Sequence, residues 1–302
     1  MANTSIPDQL RKHEIPGCVA LASGAGGMPK IKISSKVSAA EIYLHGAHVT
    51  GFQKNSEPPL LFMSRKSWFE SGKPIRGGVP VCLPWFGARD GEPAHGFARI
   101  LPWELVDTST AQHGAVTLRL RLPKNSLKSE WSSLKIEFVV TVADTLAMEL
   151  IATNESADRP LEIENCLHTY FHVGDIARVS ILGLEQLPFD DFVCGGKGAQ
   201  TPAENSVLRI ARETNRVYPN HVGVVEIRDE QSQRTIRVEK SGSNSTVVWN
   251  PWTTQKLPDD FDPAEHLQMV CVESGNVKKN KILLAPGGTT TLKVVLSSAP
   301  LK

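Results

Sequence analysis

Hydrophobic and polar residues alternate along much of the chain with a period of two, the pattern of β-strands that bury one face. In residues 116–122 every even position is apolar and every odd position is polar. Residues 134–142 repeat the pattern, and Leu146, Met148 and Leu150 follow after a short break. These segments predict consecutive antiparallel strands.

Further short strand candidates extend this pattern over most of the sequence. They are residues 30–34, 40–44, 79–83, 161–170, 222–228, 235–239, 246–249, 269–273, 281–285 and 290–296. Because no run of helices separates them, they predict a mainly β protein, a large antiparallel sandwich or barrel with few short helices. Asp262 followed by Pro263 is typical of a helix start, and a short helix is expected there.

No linker, charge block or fixed-period repeat divides the chain. A single domain covering residues 1–302 is therefore expected, with roughly the first 15 residues peripheral to it. The net charge of +1 argues against broad attraction to nucleic acid or membrane. No apolar run reaches the ~18 residues of a membrane span, and no signal-peptide core is visible. These features predict a cytoplasmic protein.

The five cysteines are odd in number and scattered, without a Cys-x-x-Cys pair, which argues against a disulfide framework or a structural zinc. Cys82, Cys166 and Cys271 sit in apolar runs and are predicted to be core residues rather than nucleophiles. The Gly-rich segment 194–198 lacks the Gly-Lys-Ser/Thr ending of a phosphate loop. A surface loop is expected there.

Histidines and a tyrosine cluster at the end of one strand candidate. As a strand, this segment places His168, Tyr170 and His172 on one face. As a helix, it would space the histidines like a zinc protease motif, but Thr169 stands where that motif needs Glu. We predict a strand that presents an imidazole to a cavity, with a buried core histidine as the alternative.

Three other segments carry reactive residues. Arg76 precedes two glycines that could let the backbone approach a ligand, and His95 and Arg99 flank Gly-Phe-Ala. Glu273 ends an apolar run before Gly275, which predicts a carboxylate at a strand mouth. Solvated surface positions are the alternative for Arg76 and Glu273. Together these residues favour acid–base chemistry on an anionic substrate, without a metal ligand set.

Six motifs resemble, in order, those of the aldose 1-epimerase (mutarotase-like) superfamily, and within it the hexose-6-phosphate mutarotase, or glucose-6-phosphate 1-epimerase, branch. They occupy residues 75–80, 84–87, 95–99, 168–171, 248–252 and 270–273. The resemblance extends over about residues 39–296. It implies a galactose mutarotase-like β-supersandwich that interconverts the anomers of a hexose 6-phosphate without cofactor. A monomer without a bound metal is the expectation.

The resemblance also implies individual roles. Glu273 corresponds to the general base for the anomeric hydroxyl, and His168 to the general acid for the ring oxygen. Arg76 and Arg99 correspond to arginines near the substrate and its phosphate, where forked charged hydrogen bonds suit an anion. His95 is a candidate contact to a sugar hydroxyl. His172 falls outside the motif and is assigned to support or core.

Two positions depart from the family pattern. Ala94 stands where the family often has Gln, and Asn215 where it often has Asp, although Asn215 can still bind a hydroxyl. Both are substrate-binding positions, so the departures bear on specificity. An epimerase for a non-phosphorylated aldose and a non-catalytic sugar-binding β-sandwich remain alternatives. The identity of the hexose, the oligomeric state and the pathway are left open.

Overall fold

A computed structural model of the protein describes residues 6–193 and 198–301. It contains one described α-helix, α1 (Asp8–Arg11). The strands are β1 (Val19–Ser23), β2 (Pro29–Ser34), β3 (Ser38–Tyr43), β4 (His48–Lys54), β5 (Val81–Cys82), β6 (Glu104–Thr110), β7 (Val116–Arg121), β8 (Leu134–Val142), β9 (Leu146–Asn154), β10 (Leu161–Ile163), β11 (Asn165–Leu167), β12 (Tyr170–His172), β13 (Val179–Leu182), β14 (Phe189–Asp191), β15 (Ala199–Thr201), β16 (Thr214–Pro219), β17 (Val225–Asp229), β18 (Arg234–Ser241), β19 (Ser245–Asn250), β20 (Met269–Asn276), β21 (Ile282–Leu284) and β22 (Thr289–Pro300). Short 3₁₀ segments cover Ala25–Gly27, Ala98–Ile100, Lys124–Ser126, Ser129–Trp131, Ile176–Arg178, Pro263–Gln268 and Lys278–Asn280.

Two eight-stranded antiparallel sheets form the body of the protein. The first, called the site sheet, has the order β15-β14-β16-β19-β20-β11-β5, and β12 also pairs with β20. The second, called the back sheet, has the order β13-β17-β18-β22-β9-β8-β7-β6. Smaller sheets pair β1-β2-β3-β4 and β10-β21. The predicted mainly β, antiparallel architecture is confirmed.

The alternating segments bury the face that their sequence predicts. In β8 and β9 every second residue is buried and the residues between are partly exposed. One hydrophobic cluster joins Phe138 of the back sheet to Phe171 and Val270 of the site sheet. The two sheets therefore pack face to face, and burial of their apolar faces is the main force that holds them together.

The central strands of the site sheet are covered on both faces. All residues of β19 and β20 are buried, so these strands do not show the alternation of the back sheet. Glu273 was predicted at a strand mouth before a glycine turn, and this is wrong. It lies in the interior of β20, and Gly275 continues the strand, paired with Ser245 and Cys166.

The predicted strand over residues 161–170 is divided into three pieces. Strand β10 pairs with β21, whereas β11 and β12 pair with β20, and His168 and Thr169 lie between β11 and β12. The prediction of one continuous strand is therefore wrong. The consequence for the site is that His168 and Tyr170 line one cavity, while His172 lines a separate groove beside Glu265.

The remaining local predictions concern a helix start, three cysteines and a Gly-rich segment. The predicted short helix begins after Asp262, whose carboxylate accepts a hydrogen bond from the Ala264 N–H, and it is a 3₁₀ segment. Cys82, Cys166 and Cys271 are buried, as expected of core residues. Of the Gly-rich segment, residues 194–197 lie outside the described residues. Across the described ranges, no helix has the length and apolar character needed to cross a membrane.

Candidate active site

A cavity of about 370 Å³ opens on the outer face of the site sheet, a size at the lower end of small-molecule sites. Its floor consists of two rows of directly paired residues from neighbouring strands, which point to the same face because cross-strand partners share a face. The first row is Val217, Val247 and Glu273, and His168 continues it from the gap between β11 and β12. The second row is Asn215, Trp249, Cys271 and Tyr170. These eight residues are called the cavity floor, and all but Cys271 line the cavity.

His168 and Glu273 are in direct contact on this floor. His168 Nε2 lies 3.3 Å from Glu273 Oε1, and the two side chains are 9% and 1% exposed. The Cys166 thiol donates to the other carboxylate oxygen, Oε2, at 3.5 Å. A histidine and a carboxylate at this distance can exchange a proton, and each can exchange one with a ligand that lies against both of them on the cavity side.

Burial moves the pKa values of this pair in opposite directions. Desolvation raises the pKa of Glu273 well above its ordinary value, against the weaker effects of the Cys166 hydrogen bond and of Arg99. Desolvation, with the nearby charges of Arg99 and Arg76, lowers the pKa of His168 to about 3. Both shifts have the same cause, because a dry site disfavours either charged form. Burial therefore favours a neutral His168 imidazole and a protonated, neutral Glu273 carboxyl group.

Arg76 lines the cavity and is fixed by a buried carboxylate. Its Nε and Nη2 each donate to one oxygen of Asp260 at 3.2 Å, which forms a forked ion pair. Its Nη1 donates to the Tyr170 hydroxyl at 3.3 Å. Asp260 is fully buried, so it compensates the Arg76 charge inside the protein.

The two glycines after Arg76 were expected to let the backbone approach a ligand, but a Cβ at Gly77 would lie 2.5 Å from the carbonyl oxygen of Phe62. Gly77 therefore permits close approach of two protein segments.

His95 lines the cavity as a neutral imidazole. Its pKa is lowered well below the ordinary value by burial first and then by the charges of Arg99 and His168. Its Nδ1 accepts the Gly87 N–H at 3.4 Å, so in the neutral ring Nε2 carries the proton and can donate to a ligand. The next residue must be glycine, since a Cβ at Gly96 would lie 2.0 Å from the carbonyl oxygen of Leu83.

Lys278, together with Phe86 and Phe192, forms one wall of the cavity, and sequence analysis did not identify this lysine. Its Nζ donates to the Phe86 carbonyl oxygen at 3.3 Å and lies 5.9 Å from the Phe86 ring centroid and 5.8 Å from that of Phe192. Glu164 fixes both sides of this wall by accepting the backbone N–H groups of Lys278 at 2.5 Å and of Phe86 at 3.0 Å. Within the described residues, no carboxylate forms an ion pair with Lys278 Nζ.

Lys278 stands apart from its neighbours in the same lysine-rich run. Lys279 Nζ pairs with Asp190 at 2.7 Å, and Lys281 Nζ pairs with Glu162 at 2.7 Å. Nothing in the local sequence distinguishes the three lysines. Their different environments follow from the fold, which turns only Lys278 of the three toward the cavity.

The structure brings together five of the six residues proposed from sequence for the site. His168, Glu273, Arg76, His95 and Asn215 all line the cavity. Arg99 is not among the described residues that line it; its Nη2 donates to the Ala94 carbonyl oxygen at 2.7 Å. Arg99 acts on the cavity groups through its charge, because it lowers the pKa of both His95 and His168.

The chain is similar to known proteins in both sequence and structure. The sequence profile of the family described as aldose 1-epimerase matches residues 29–297. A candidate glucose-6-phosphate 1-epimerase from Cenchrus ciliaris is 32% identical over 285 residues, which cover 91% of this chain and 86% of the relative. One from Escherichia coli K12 is 35% identical over 239 residues, which cover 78% of this chain and 79% of the relative.

A solved structure is also similar over nearly the whole chain. The crystal structure of a candidate mutarotase, YeaD, from Salmonella typhimurium superimposes with a TM-score of 0.84 at 27% identity, covering 95% of this chain and 96% of that one. The galactose mutarotase-like fold that the sequence motifs implied is confirmed.

Proposed function

Because this chain belongs to the aldose 1-epimerase family, we propose that its cavity interconverts the α and β anomers of a hexose 6-phosphate such as glucose 6-phosphate. The observation that carries the proposal is the 3.3 Å contact between His168 Nε2 and Glu273 Oε1 on the cavity floor. Ring opening needs one group to remove a proton and one to supply a proton. The two sugar oxygens concerned are bonded to the same carbon, so two adjacent groups can serve both.

The proposed reaction begins when the shared proton resides on His168 and Glu273 is a carboxylate. Glu273 takes the proton of the anomeric hydroxyl while His168 gives its Nε2 proton to the ring oxygen. The bond between the anomeric carbon and the ring oxygen breaks, and an aldehyde forms. Rotation about C1–C2 and the reverse proton transfers close the ring as the other anomer. The number of protons and charges is unchanged, so no cofactor is consumed.

The electrostatics of the site support this sequence of steps. After ring opening, Glu273 is a neutral acid and His168 a neutral imidazole, the state that burial favours. The buried floor therefore favours the protonation states that accompany the open-chain intermediate. The His95 Nε2–H can donate to a sugar hydroxyl and so hold the sugar in position beside this pair.

The phosphate is assigned to the wall formed by Lys278 with help from Arg76. A phosphate monoester carries a charge of about −1.5 to −2 at neutral pH. The Arg76 charge is already matched by Asp260, whereas Lys278 retains donors that are not used by Phe86. Uncompensated positive charge at the wall favours a phosphorylated sugar over a neutral one. Arg99 contributes at longer range through its charge.

The protein is further proposed to work as a monomer in the cytoplasm. Cys18, Cys82, Cys166 and Cys271 are free thiols, which fits a reducing compartment. Light scattering of the full chain tests the monomeric state.

The proposal is tested by measuring anomer exchange with NMR magnetisation transfer. Purified protein should accelerate exchange between the two anomers of glucose 6-phosphate well above the spontaneous rate, and accelerate exchange of free glucose much less. Galactose 6-phosphate and mannose 6-phosphate extend the panel. Exchange that stays at the spontaneous rate for every sugar phosphate would reject the proposal, and binding detected by calorimetry in that case would favour a non-catalytic sugar-binding protein.

A further inference from the structure

The cavity floor holds a third potential metal-binding atom beside the proton-transfer pair. The thiol of Cys271, an imidazole nitrogen of His168 and a carboxylate oxygen of Glu273 all lie within 4.8 Å of one another. All three residues are buried. The reaction proposed above gives Cys271 no role, and its thiol is the third donor atom of this cluster.

The backbone fixes this cluster. Cys271 and Glu273 are two residues apart on β20 and therefore point to the same face. His168 follows β11, whose pairing with β20 brings it beside Glu273. Two ligands that each lie about 2.0–2.1 Å from one tetrahedral zinc ion are ~3.3 Å apart. The 3.3 Å separation of His168 Nε2 and Glu273 Oε1 matches that value.

We propose that Cys271, Glu273 and His168 form an inhibitory binding site for Zn²⁺. One sulfur, one nitrogen and one oxygen are a donor set suited to zinc. On binding, the thiol and the His168–Glu273 pair each release one proton to solvent, as metal ligation requires, and the thiolate and carboxylate then balance the charge of the ion. Glu273 and His168 line the cavity, which can supply a water molecule as the fourth ligand.

Zinc binding and turnover exclude each other at this site. The ion occupies His168 Nε2 and a Glu273 oxygen, the two atoms that exchange protons with the sugar in the proposed reaction. Mg²⁺ and Ca²⁺ prefer six or more oxygen ligands, which this cluster does not offer. The site is therefore selective for thiophilic ions over the abundant hard cations.

Direct titration tests the site independently of any reaction. Calorimetry of the full chain with ZnCl₂ in a phosphate-free buffer should show one site per chain, and MgCl₂ should show none. Cys271→Ala and Cys271→Ser should weaken binding by at least the ~10- to 100-fold that loss of even an outer-shell partner costs. Cys82→Ala, which removes another buried thiol, should leave the affinity unchanged. Circular dichroism verifies that each variant is folded.

Two further measurements place the ion on these side chains. Cd²⁺ should produce a thiolate-to-metal charge-transfer absorption in wild-type protein and in Cys82→Ala but not in the Cys271 variants. Zn²⁺ should lower the rate of anomer exchange of glucose 6-phosphate, EDTA should restore it, and Cys271→Ala should catalyse exchange in the presence of Zn²⁺. The proposal is overturned if wild-type protein does not bind Zn²⁺, or if both Cys271 variants retain wild-type affinity. Binding without any epimerase activity would support the metal site and reject only the proposed reaction.

Discussion

His168 and Glu273 face each other directly across two antiparallel strands, although His168 lies in a gap between paired segments. Before the gap Leu167 pairs with Ser274, and after it Tyr170 pairs with Cys271, which is the same register. The Thr169 carbonyl oxygen accepts the Val272 N–H at 3.2 Å and keeps that register through the gap. His168 therefore lies outside the regular strand pairing, and its imidazole still lies beside the Glu273 carboxylate.

Replacement of Glu273 by Gln should abolish most of the turnover. Glutamine preserves the size of the side chain but cannot accept the hydroxyl proton, and loss of a general base costs about 10²- to 10⁴-fold in kcat. Anomer exchange measured by NMR at saturating glucose 6-phosphate gives kcat directly. Glu162→Gln, at an exposed position of β10, is the matched control and should retain wild-type kcat. A Glu273→Gln enzyme within twofold of wild type would remove Glu273 from the mechanism.

Replacement of Lys278 by Met should lower discrimination between phosphorylated and free sugar. A hydrogen bond to a charged group contributes about 1.5–3 kcal/mol, so kcat/KM for glucose 6-phosphate should fall by roughly 10- to 150-fold. The value for free glucose should stay nearly constant. Lys281→Met is the control, because Lys281 pairs with Glu162 on the surface. Equal losses for both sugars would show that Lys278 supports the wall without contacting phosphate.

Removal of Asp260 should destabilise the folded protein. Asp260→Ala leaves the Arg76 guanidinium, whose side chain is 15% exposed, without its forked partner. Breaking a buried ion pair from one side costs about 3–5 kcal/mol, and urea unfolding should show a loss of this order. Asp259→Ala, at the exposed neighbouring position, should change the unfolding free energy by less than ~0.5 kcal/mol. A small effect of Asp260→Ala would mean that solvent reaches Arg76 freely.

The pH profile of kcat should lack the inflection of an ordinary histidine near ~6.5. Burial lowers the pKa of His168 to about 3 and raises that of Glu273. His168 therefore does not titrate between about pH 5 and 8, and kcat should show no step from this imidazole over that range. Saturating substrate is essential, because the sugar phosphate itself titrates near ~6 and affects kcat/KM. A step in kcat near 6.5 would show that the imidazole is solvated during turnover.

Lys240 should make stability rise with pH. Its Nζ donates to the Ser245 carbonyl oxygen at 2.9 Å and to Thr246 Oγ1 at 2.6 Å, and burial lowers its pKa to about 7. Between about pH 7 and its unfolded value of ~10.4, the unfolded chain holds a proton that the folded chain has lost. The unfolding free energy of wild type minus that of Lys240→Met should therefore increase by up to ~1.4 kcal/mol per pH unit over this range. Urea unfolding of both proteins at a series of pH values measures the difference, and a pH-independent difference would contradict the assignment.

Local patterns in the sequence were sufficient for the fold class and for part of the site. Alternation in residues 134–142 depends only on neighbouring positions, so it reported β8 and its buried face directly. The motifs around Arg76, His95, His168 and Glu273 likewise marked residues that line the cavity. The ends of the strands were harder to predict. The break between β11 and β12 depends on which strands pair with each of these segments, and the local sequence does not show this.

By itself, the sequence determined that the chain forms antiparallel strands with defined buried faces, and it indicated which family chemistry to expect. Only the tertiary structure decided that His168 stands opposite Glu273, that Asp260 compensates Arg76, and that Lys278 rather than Lys279 or Lys281 faces the cavity. The physical reason is the separation along the chain of the residues that interact. Burial patterns are set by residues one or two positions apart, whereas register, ion pairing and desolvation arise between segments that only the packed sheets bring together.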